Sequence, residues 1–327
     1  MSRGIRVYFL KRVALAGATV FFLATLMFAL FRMLPGDPTL TVLSPAQSPE
    51  VQAELRQRYG LDRPILEQYV RYIGNLLQGR FGVSFHRGAP VSTLLGQYLL
   101  NTVVLMLPSL VLAYALGIVG GALLAWKRGS RVDTATTTVA MVFRSAPIFW
   151  LSIIFISVFA VRLGLVPSGH MLTPGTKPAG FFATFFTVDF LRHLILPMVV
   201  MAIYYGCYPL LVMRTSMLEV LGEDFIDLCR AKGLSERRII FRHALRASLL
   251  PIATSVSLLG AYVVAGSVLV ETVFSWPGLG RLMVQAVTDS DYPVAQASFL
   301  LIAVLVVAGN LLADVLYGLL DPRIRYQ

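Results

Sequence analysis

Charged residues are scarce in this chain. They make up 14% of its 327 residues, against about a quarter in an average soluble domain, and hydrophobic residues make up 57%. The mean hydropathy is +0.73. The apolar residues fall into blocks that are longer than the core helices of a globular protein need to be. This composition excludes a secreted or cytosolic enzyme and indicates a single polytopic membrane unit.

The sequence also lacks the motifs of common catalytic and cofactor sites. It has no G-x-x-x-x-G-K-[ST] phosphate-binding loop, no H-E-x-x-H and no G-x-S-x-G. Its four histidines are scattered without metal-ligand spacing, and its two cysteines, Cys207 and Cys229, give no disulfide framework or zinc site. We therefore predict no catalytic residue, no metal site and no cofactor on this chain. Any ATP that drives it must be hydrolysed by another subunit.

Six apolar blocks are long enough to cross the hydrocarbon layer of a membrane, which takes about 20 residues. They are residues 13–31, 99–126, 139–161, 194–213, 249–273 and 299–320. The first block has nineteen consecutive uncharged residues and no convincing small-residue cleavage site, which favours a retained span over a removable signal peptide. The sequence thus predicts an all-α polytopic membrane protein with six transmembrane helices.

Lysine and arginine are unevenly divided between the two sides of the predicted membrane. Sixteen of them lie in the N-terminal tail, in the loops after spans two and four, and at the C-terminus, whereas the short loops on the opposite side hold four. Short cytoplasmic loops carry the excess of positive charge, so both termini are predicted to be cytoplasmic. Because the basic residues are spread over loops and do not gather on one face, nucleic-acid binding is not expected.

This topology divides the chain into three predicted segments. Residues 1–31 are the cytoplasmic tail and first transmembrane helix, residues 32–98 a small helical extracytoplasmic cap, and residues 99–327 a five-helix core. In the cap, one helix is predicted near residues 50–59 and another from Pro64 to the residue before Gly79. The core contains a polar cytoplasmic loop, residues 214–248.

That loop predicts two short helices. The first, over about residues 223–232, has acidic residues at its start and basic residues at its end, as the helix dipole favours, and Gly233 fits a left-handed stop. Ser235 is placed to cap the second helix. Apolar side chains among the charges either pack on this protein's own helix ends or dock in a groove of a cytoplasmic partner. These side chains are Phe225, Ile226, Leu228, Leu234, Ile239, Ile240 and Phe241.

The loop resembles the cytoplasmic loop of binding-protein-dependent ABC importer permeases. Their shared pattern is E-A-A, three residues, Gly, nine residues and I-x-L-P. Here Asp227-Leu228-Cys229 stands at the triplet, Gly233 at the glycine and His243-Ala244-Leu245-Arg246 at the end, so the general pattern is imperfect. The run R-A-K-G-L-S-E-R-R is nevertheless similar to the dipeptide and oligopeptide branch. Residues 59–64, 79–84, 145–150, 271–281 and 321–326 are similar to that branch too, although Arg80 stands where an acid is usual.

The resemblance implies the type I ABC importer permease fold, located in a bacterial plasma (inner) membrane. It implies four kinds of partner: a second homologous permease subunit, two ATP-binding subunits that carry ATP and Mg, an extracytoplasmic peptide-binding protein, and a peptide substrate. Similar permeases handle nickel complexes, glutathione or antimicrobial peptides. The residues that the resemblance implies in coupling to the ATPase are Asp227, Leu228, Cys229, Arg230, Ala231, Lys232, Gly233, Leu234, Ser235, Glu236, Arg237 and Arg238.

Ionisable residues inside the predicted spans are costly and need an explanation. Arg144 is placed either to face the substrate pathway and attract a peptide carboxylate, or to snorkel or pair structurally. Glu271 is a second pathway candidate, with structural pairing as its alternative. A proton-coupled secondary transporter, which is a different class of function, would use these two residues together with Asp314. An intramembrane enzyme is disfavoured because no paired nucleophile and base is present.

Two further patterns concern packing. Small residues recur every four positions along the second span, at Ala113, Gly117, Gly121 and Ala125, which predicts a close approach of two helices. Residues 274–280 are predicted to form an apolar turn outside the membrane. This turn contacts the binding protein, lines the outer gate or packs at the membrane surface.

Overall fold

The computed structural model of this protein describes residues 3–33, 62–176, 180–253 and 268–320, and the side chains of these residues except 3–9, 181 and 312–320. In chain order the helices are α1 (Arg3–Met33), α2 (Ile65–Leu77), α3 (Val91–Trp126), α4 (Arg131–Ser145), α5 (Ile148–Phe155), α6 (Phe181–Thr184), α7 (Val188–Val220), α8 (Asp224–Ala231), α9 (Glu236–Arg238), α10 (Leu245–Ala247), α11 (Val268–Val273), α12 (Leu279–Thr288) and α13 (Tyr292–Leu320). Two π-helical stretches add to these: Ile156–Arg162 continues α5, and Ile239–Ala244 joins α9 to α10. The fold is all-α.

Four of these helices, α1, α3, α7 and α13, are long and apolar enough to cross a membrane. They confirm the first, second, fourth and sixth predicted spans as helices. Each extends past its apolar block, because polar residues continue a helix once it leaves the hydrocarbon. At the start of α7, for example, the hydroxyl of Thr187 accepts a hydrogen bond from the N–H of Phe190 at 3.1 Å. Residues 254–267 of the fifth predicted span lie outside the described residues.

The third predicted span, residues 139–161, is helical but sharply bent. It consists of α4 and of α5 with its π-helical continuation, and these two parts meet at an angle of 108°. Ala146 and Pro147 lie between them with extended backbone, at ψ values of 143° and 134°. A proline cannot donate a helical hydrogen bond, and it disfavours the α conformation in the residue before it. The proline therefore permits a bend at this point of the sequence.

The chain divides into two compact units, Met1–Thr102 with Pro277–Gln327, and Val103–Trp276. In the first unit, α13 packs against α1 and α12. The ring of Phe31 on α1 contacts the rings of Tyr292 and Phe299, with centroids 5.7 and 6.3 Å apart.

The predicted cap helix from Pro64 is confirmed as α2, whereas the helix predicted near residues 50–59 lies outside the described residues. The three segments predicted from membrane topology stay a prediction.

Two hydrophobic clusters lie in the described part of the second unit. One gathers around Phe190, Met201, Phe274 and Trp276, and the other around Met213 with side chains of the polar loop. Phe274 and Trp276 of the apolar turn are buried within the chain, and the role of the turn stays a prediction.

The small-residue stripe on α3 is confirmed as a site of close helix packing in this unit. A Cβ atom on Gly117 would lie 2.7 Å from Cγ of Pro209, and one on Gly121 would lie 2.5 Å from the carbonyl oxygen of Leu210. Both neighbours belong to α7. The absence of side chains at these two positions is what lets α3 and α7 approach each other.

Candidate functional site

The polar loop folds as two short helices joined by a tight turn. The first is α8, with Glu223 at its N-cap position, acidic residues in its first turn and Arg230 in its last. The second begins at Glu236 with α9 and continues through the π-helical stretch into α10. Both predicted helices are thus confirmed, and their charges follow the helix dipole.

Gly233 ends α8 in the way that the sequence predicts. Its φ is +75°, a left-handed conformation that a glycine adopts at no steric cost. The N–H of Gly233 donates to the carbonyl of Arg230 at 2.9 Å, and the N–H of Leu234 donates to the carbonyl of Cys229 at 3.2 Å. These two bonds form a Schellman motif, which satisfies carbonyls at the helix end and reverses the chain.

Ser235 lies at the N-cap position of the second helix, as predicted, but its hydroxyl makes no capping hydrogen bond. The helix begins instead on backbone bonds, because the N–H groups of Arg238 and Ile239 donate to the carbonyl of Ser235 at 2.9 and 3.0 Å. The prediction of a side-chain cap is therefore wrong. The hydroxyl of Ser235 therefore does not stabilise the start of this helix by capping.

One face of the loop is an integral part of the second unit. Ile226, Ile239 and Ile240 are at most 1% exposed and belong to the same cluster as Met213 and Met217 of α7. Leu234 is half-buried against that cluster, and Phe241 contacts the ring of Trp126 at the end of α3, with centroids 6.2 Å apart. For these residues, packing on the protein's own helix ends is correct. The loop is thereby held by the ends of α3 and α7.

The opposite face of α8 is uncovered. Phe225 is 40% exposed and Leu228 is 55% exposed, one helical turn apart. Around them lie exposed charged and small residues, namely Asp227, Arg230, Ala231, Lys232, Gly233, Ser235, Glu236, Arg237 and Arg238, with Cys229 half-buried. Two exposed apolar side chains inside a rim of charges have the composition of a protein-docking surface.

Arg230 joins the two helices across the turn. Its Nε donates to a carboxylate oxygen of Glu236 at 2.9 Å, and its Nη1 donates to Asp227, three residues earlier on α8, at 3.0 Å. These hydrogen bonds, first that to Glu236 and then that to Asp227, raise the pKa of the Arg230 guanidinium above its ordinary value. The coupling residues Asp227 to Arg238 thus form one compact hairpin of helices.

The two pathway candidates lie on different elements of the second unit. Arg144 occupies the last turn of α4, immediately before the bend, and its guanidinium carbon lies 5.3 Å from the ring centroid of Tyr208 on α7. A cation over an aromatic face is an attractive arrangement, and a positive charge also suits a helix C-terminus. Arg144 is exposed on this chain, and its role in a substrate pathway stays a prediction.

Glu271 lies on α11 and is fully buried within the chain. Its backbone carbonyl accepts a hydrogen bond from the N–H of Trp276 at 2.8 Å. Its role in a pathway stays a prediction. The side chain of Asp314, the third residue of the secondary-transporter alternative, is outside the described part of the chain. Over the described ranges, His, Cys, Asp and Glu side chains form no group of three able to hold a metal ion.

Comparison with protein families gives two matches that together cover most of the chain. Residues 117–326 match the model of the binding-protein-dependent transport system inner membrane component, and residues 5–106 match the N-terminal model of the same membrane components. This chain belongs to that family of transport permeases.

Relatives of this permease match it over nearly its whole length. It is 40% identical to the di/tripeptide transport system permease protein DppB of Pseudomonas aeruginosa, over 97% of this chain and 98% of that protein. It is 39% identical to the oligopeptide transport system permease protein AppB of Bacillus subtilis and 38% identical to the dipeptide transport system permease protein DppB of Escherichia coli, in each case over 98% of this chain and 99% of the relative.

A solved structure supports the fold of the permease. A chain of the MetNI methionine ABC transporter, crystallised in inward-facing conformations, superposes with a TM-score of 0.52 at 18% identity. The match covers 70% of this chain and 96% of that one. The type I importer permease fold that the loop motif implied is therefore confirmed.

One feature of the permease was missed by sequence reasoning. Asp133 at the start of α4 is 2% exposed, and its carboxylate accepts two hydrogen bonds from Arg214 on α7, at 2.6 and 2.8 Å. It also accepts one from the N–H of Gly129 at 3.0 Å. The pair fixes α4 to the part of α7 that leads into the polar loop. Opposite charges beside predicted spans two and four were the available signal, but their separation of 81 residues hid the contact.

Proposed function

We propose that this permease is the transmembrane subunit of an ATP-driven importer of short peptides. The relatives that match almost the whole chain are named for dipeptide, di/tripeptide and oligopeptide transport. Identity of 38–40% over almost the whole of both chains favours a shared substrate class. The substrate class and the machinery are inferred from these relatives.

The partners follow from the same proposal. The permease pairs with a second homologous permease subunit, two cytoplasmic ATP-binding subunits and an extracytoplasmic peptide-binding protein. ATP and Mg bind to the ATP-binding subunits. This chain therefore takes part in transport and does not itself hydrolyse ATP. Its orientation, with both termini in the cytoplasm, follows from the excess of lysine and arginine in the short loops on that side.

The helix hairpin from Asp227 to Arg238 is the element that transmits force. Closure of the ATP-bound subunits moves α8, and α8 moves the ends of α3 and α7 because Ile226, Ile239 and Ile240 pack among them. Well-packed side chains move together and do not deform independently. The spans then exchange an inward-open for an outward-open arrangement, and hydrolysis allows the return.

The two-faced character of α8 is the observation that carries this proposal. Ile226 is 0% exposed against the protein's own core, while Leu228 is 55% exposed two residues later. A helix that docks on a partner while it is held by its own protein requires both a buried apolar face and an exposed apolar face within a rim of charges, and α8 has both.

The experiment is a pair of substitutions at Gly233, whose φ of +75° fixes the angle between the two helices. Gly233→Val should abolish most uptake of a radiolabelled dipeptide by cells, because a β-branched residue is strongly disfavoured in the left-handed region. Gly233→Asn is the matched control, since asparagine tolerates that region and a Cβ here meets no atom within 4 Å. It should keep most of the uptake.

Both variants must be present in the membrane at the wild-type level, measured by immunoblotting of membrane fractions. Normal uptake by the valine variant would contradict the role of the loop. An equal loss of uptake in both variants would show that the loop requires a residue without a side chain at position 233, whatever the backbone conformation there. Identification of the molecule carried by the copurified binding protein tests the substrate class separately.

A further inference from the structure

The helix α2, which belongs to the predicted extracytoplasmic cap, carries an apolar stripe of four residues, three of them exposed and the fourth, Ile73, half-buried. At 100° per residue, Leu66, Val70, Ile73 and Leu77 fall within a sector of about 60°. Leu66, Val70 and Leu77 are 74%, 62% and 84% exposed. An exposed apolar stripe of this size on a single short helix marks a site that contacts lipid or another protein.

The charged residues of α2 lie on another side of the helix. Glu67 forms ion pairs with Arg63 before the helix and with Arg71 one turn later, the latter at 3.3 Å. Arg71 is displaced by about 140° from Leu66 around the axis, and Glu67 by about 100°. The helix therefore has one side suited to hydrocarbon and another suited to water, which is the pattern of a helix lying in a membrane interface.

Contacts to α1 set the height of α2 along the membrane normal. The hydroxyl of Tyr69 lies 2.7 Å from that of Thr25, and the rings of Tyr69 and Tyr72 lie 5.3 and 5.5 Å from the ring of Phe28. Thr25 and Phe28 precede the end of α1 at Met33 by eight and five residues, or about 12 and 8 Å along the axis. A helix seated at this depth does not stand above the bilayer.

The length of α1, compared with the thickness of the hydrocarbon layer, shows where these contacts lie in the bilayer. Its stretch that is apolar enough to cross a membrane, Leu10–Met33, has 24 residues and measures about 36 Å, against about 30 Å of hydrocarbon. Each end therefore projects only about 3 Å, so Phe28 lies about 5 Å and Thr25 about 9 Å inside the hydrocarbon boundary. At the same level, Leu26 and Leu30 of α1 are also exposed, which makes the lipid-facing surface continuous between the two helices.

We propose that α2 is an interfacial membrane helix, with Leu66, Val70, Ile73 and Leu77 in the acyl chains of the outer leaflet and Arg63, Glu67 and Arg71 in water. The occupant of the stripe is phospholipid. A water-soluble binding protein cannot reach the level of Phe28, and the tyrosines that join α2 to α1 are residues that membrane interfaces favour. The cap is thus anchored in the membrane as well as to the first span.

The experiment measures the surroundings of the stripe directly. Single cysteines are introduced as Val70→Cys, Leu77→Cys and Arg71→Cys in a full-length chain lacking Cys207 and Cys229, and each is labelled with a fluorophore. The permease is reconstituted with its copurifying subunits in phosphatidylethanolamine and phosphatidylglycerol vesicles with or without brominated acyl chains. Iodide is the aqueous quencher. All three positions are exposed, so the labels are not expected to impair folding.

Brominated lipid should quench the labels at residues 70 and 77 at least about twofold more than the label at residue 71, and iodide should show the reverse order. Strong quenching of all three labels by iodide and none by lipid would overturn the proposal, because it would put the stripe in water. Protection of residues 70 and 77 from both quenchers would also overturn it, because a protein partner would then cover the stripe.

Discussion

Arg214 on α7 donates two hydrogen bonds, of 2.6 and 2.8 Å, to the carboxylate of Asp133 on α4. The carboxylate is almost fully buried, whereas the guanidinium side chain is 25% exposed. Removing one partner of a buried ion pair leaves the other charge without compensation, which costs more than the pair itself contributes.

Asp133→Asn should therefore lower the free energy of unfolding by about 2 kcal/mol or more. The change is measured as a lower apparent Tm of the purified permease in detergent. Arg214→Gln and the double variant complete a double-mutant cycle, in which the two single effects should not add. Additive effects would mean that the pair is not energetically coupled.

The second prediction concerns the ion pair between Arg230 and Glu236, which crosses the Gly233 turn. Both side chains are well exposed, so Glu236→Gln should leave the apparent Tm unchanged. It should instead lower the number of peptides transported per ATP hydrolysed, by less than about fivefold, because the two helices lose their charged link.

Asp227→Asn is the matched control, since Asp227 pairs with the same arginine but lies on α8 itself. It should change the transport ratio less than Glu236→Gln does. The two ratios are compared in proteoliposomes from parallel dipeptide-uptake and phosphate-release assays. A larger effect of the Asp227 variant would indicate that the exposed acid matters for docking and that the link across the turn does not.

Much of this architecture could be predicted from local sequence. The apolar blocks predicted four of the spans, Gly233 predicted the end of α8, and Pro64 predicted the start of α2, because each depends on the chemistry of neighbouring residues. The angle of the bend at Pro147 could not be predicted, since prolines occur in many membrane helices without breaking them and the angle depends on tertiary packing.

The division of the loop into two faces could not be predicted either. Phe225, Ile226 and Leu228 have similar hydrophobicity and lie within one turn, yet only Ile226 is buried. Which of them meets the protein's own core depends on where α3 and α7 end in space. Sequence periodicity identifies an apolar face but does not identify its partner.

The third prediction tests the close approach of α3 and α7. Gly121→Ala should lower the apparent Tm by several degrees, since its Cβ would lie 2.5 Å from the backbone oxygen of Leu210 and the two helices must separate. Gly96→Ala on the same helix is the control, because a Cβ there meets nothing within 4 Å. That variant should be neutral or slightly stabilising. Equal Tm values for the two variants would show that the contact is not a determinant of stability.

The last prediction concerns the 108° bend between α4 and α5. Two effects compete in a Pro147→Ala variant. A new N–H becomes available for a helical hydrogen bond, which is worth about 1 kcal/mol net. Straightening the helix would remove Ile148 and Leu151, which are 8% and 3% exposed, from their cluster, and emptying such sites costs about 2 kcal/mol or more each.

The loss of packing therefore outweighs the gain of one hydrogen bond, and the bend should persist in Pro147→Ala. Spin labels at Val139 and Ile153, both exposed, report the angle by pulsed electron paramagnetic resonance in a cysteine-free background. Their distance distribution should be the same with proline or alanine at residue 147. Leu151→Ala combined with Pro147→Ala removes part of the opposing packing and should broaden the distribution toward longer distances. A longer distance in Pro147→Ala alone would mean that the proline imposes the bend and that the core only follows it.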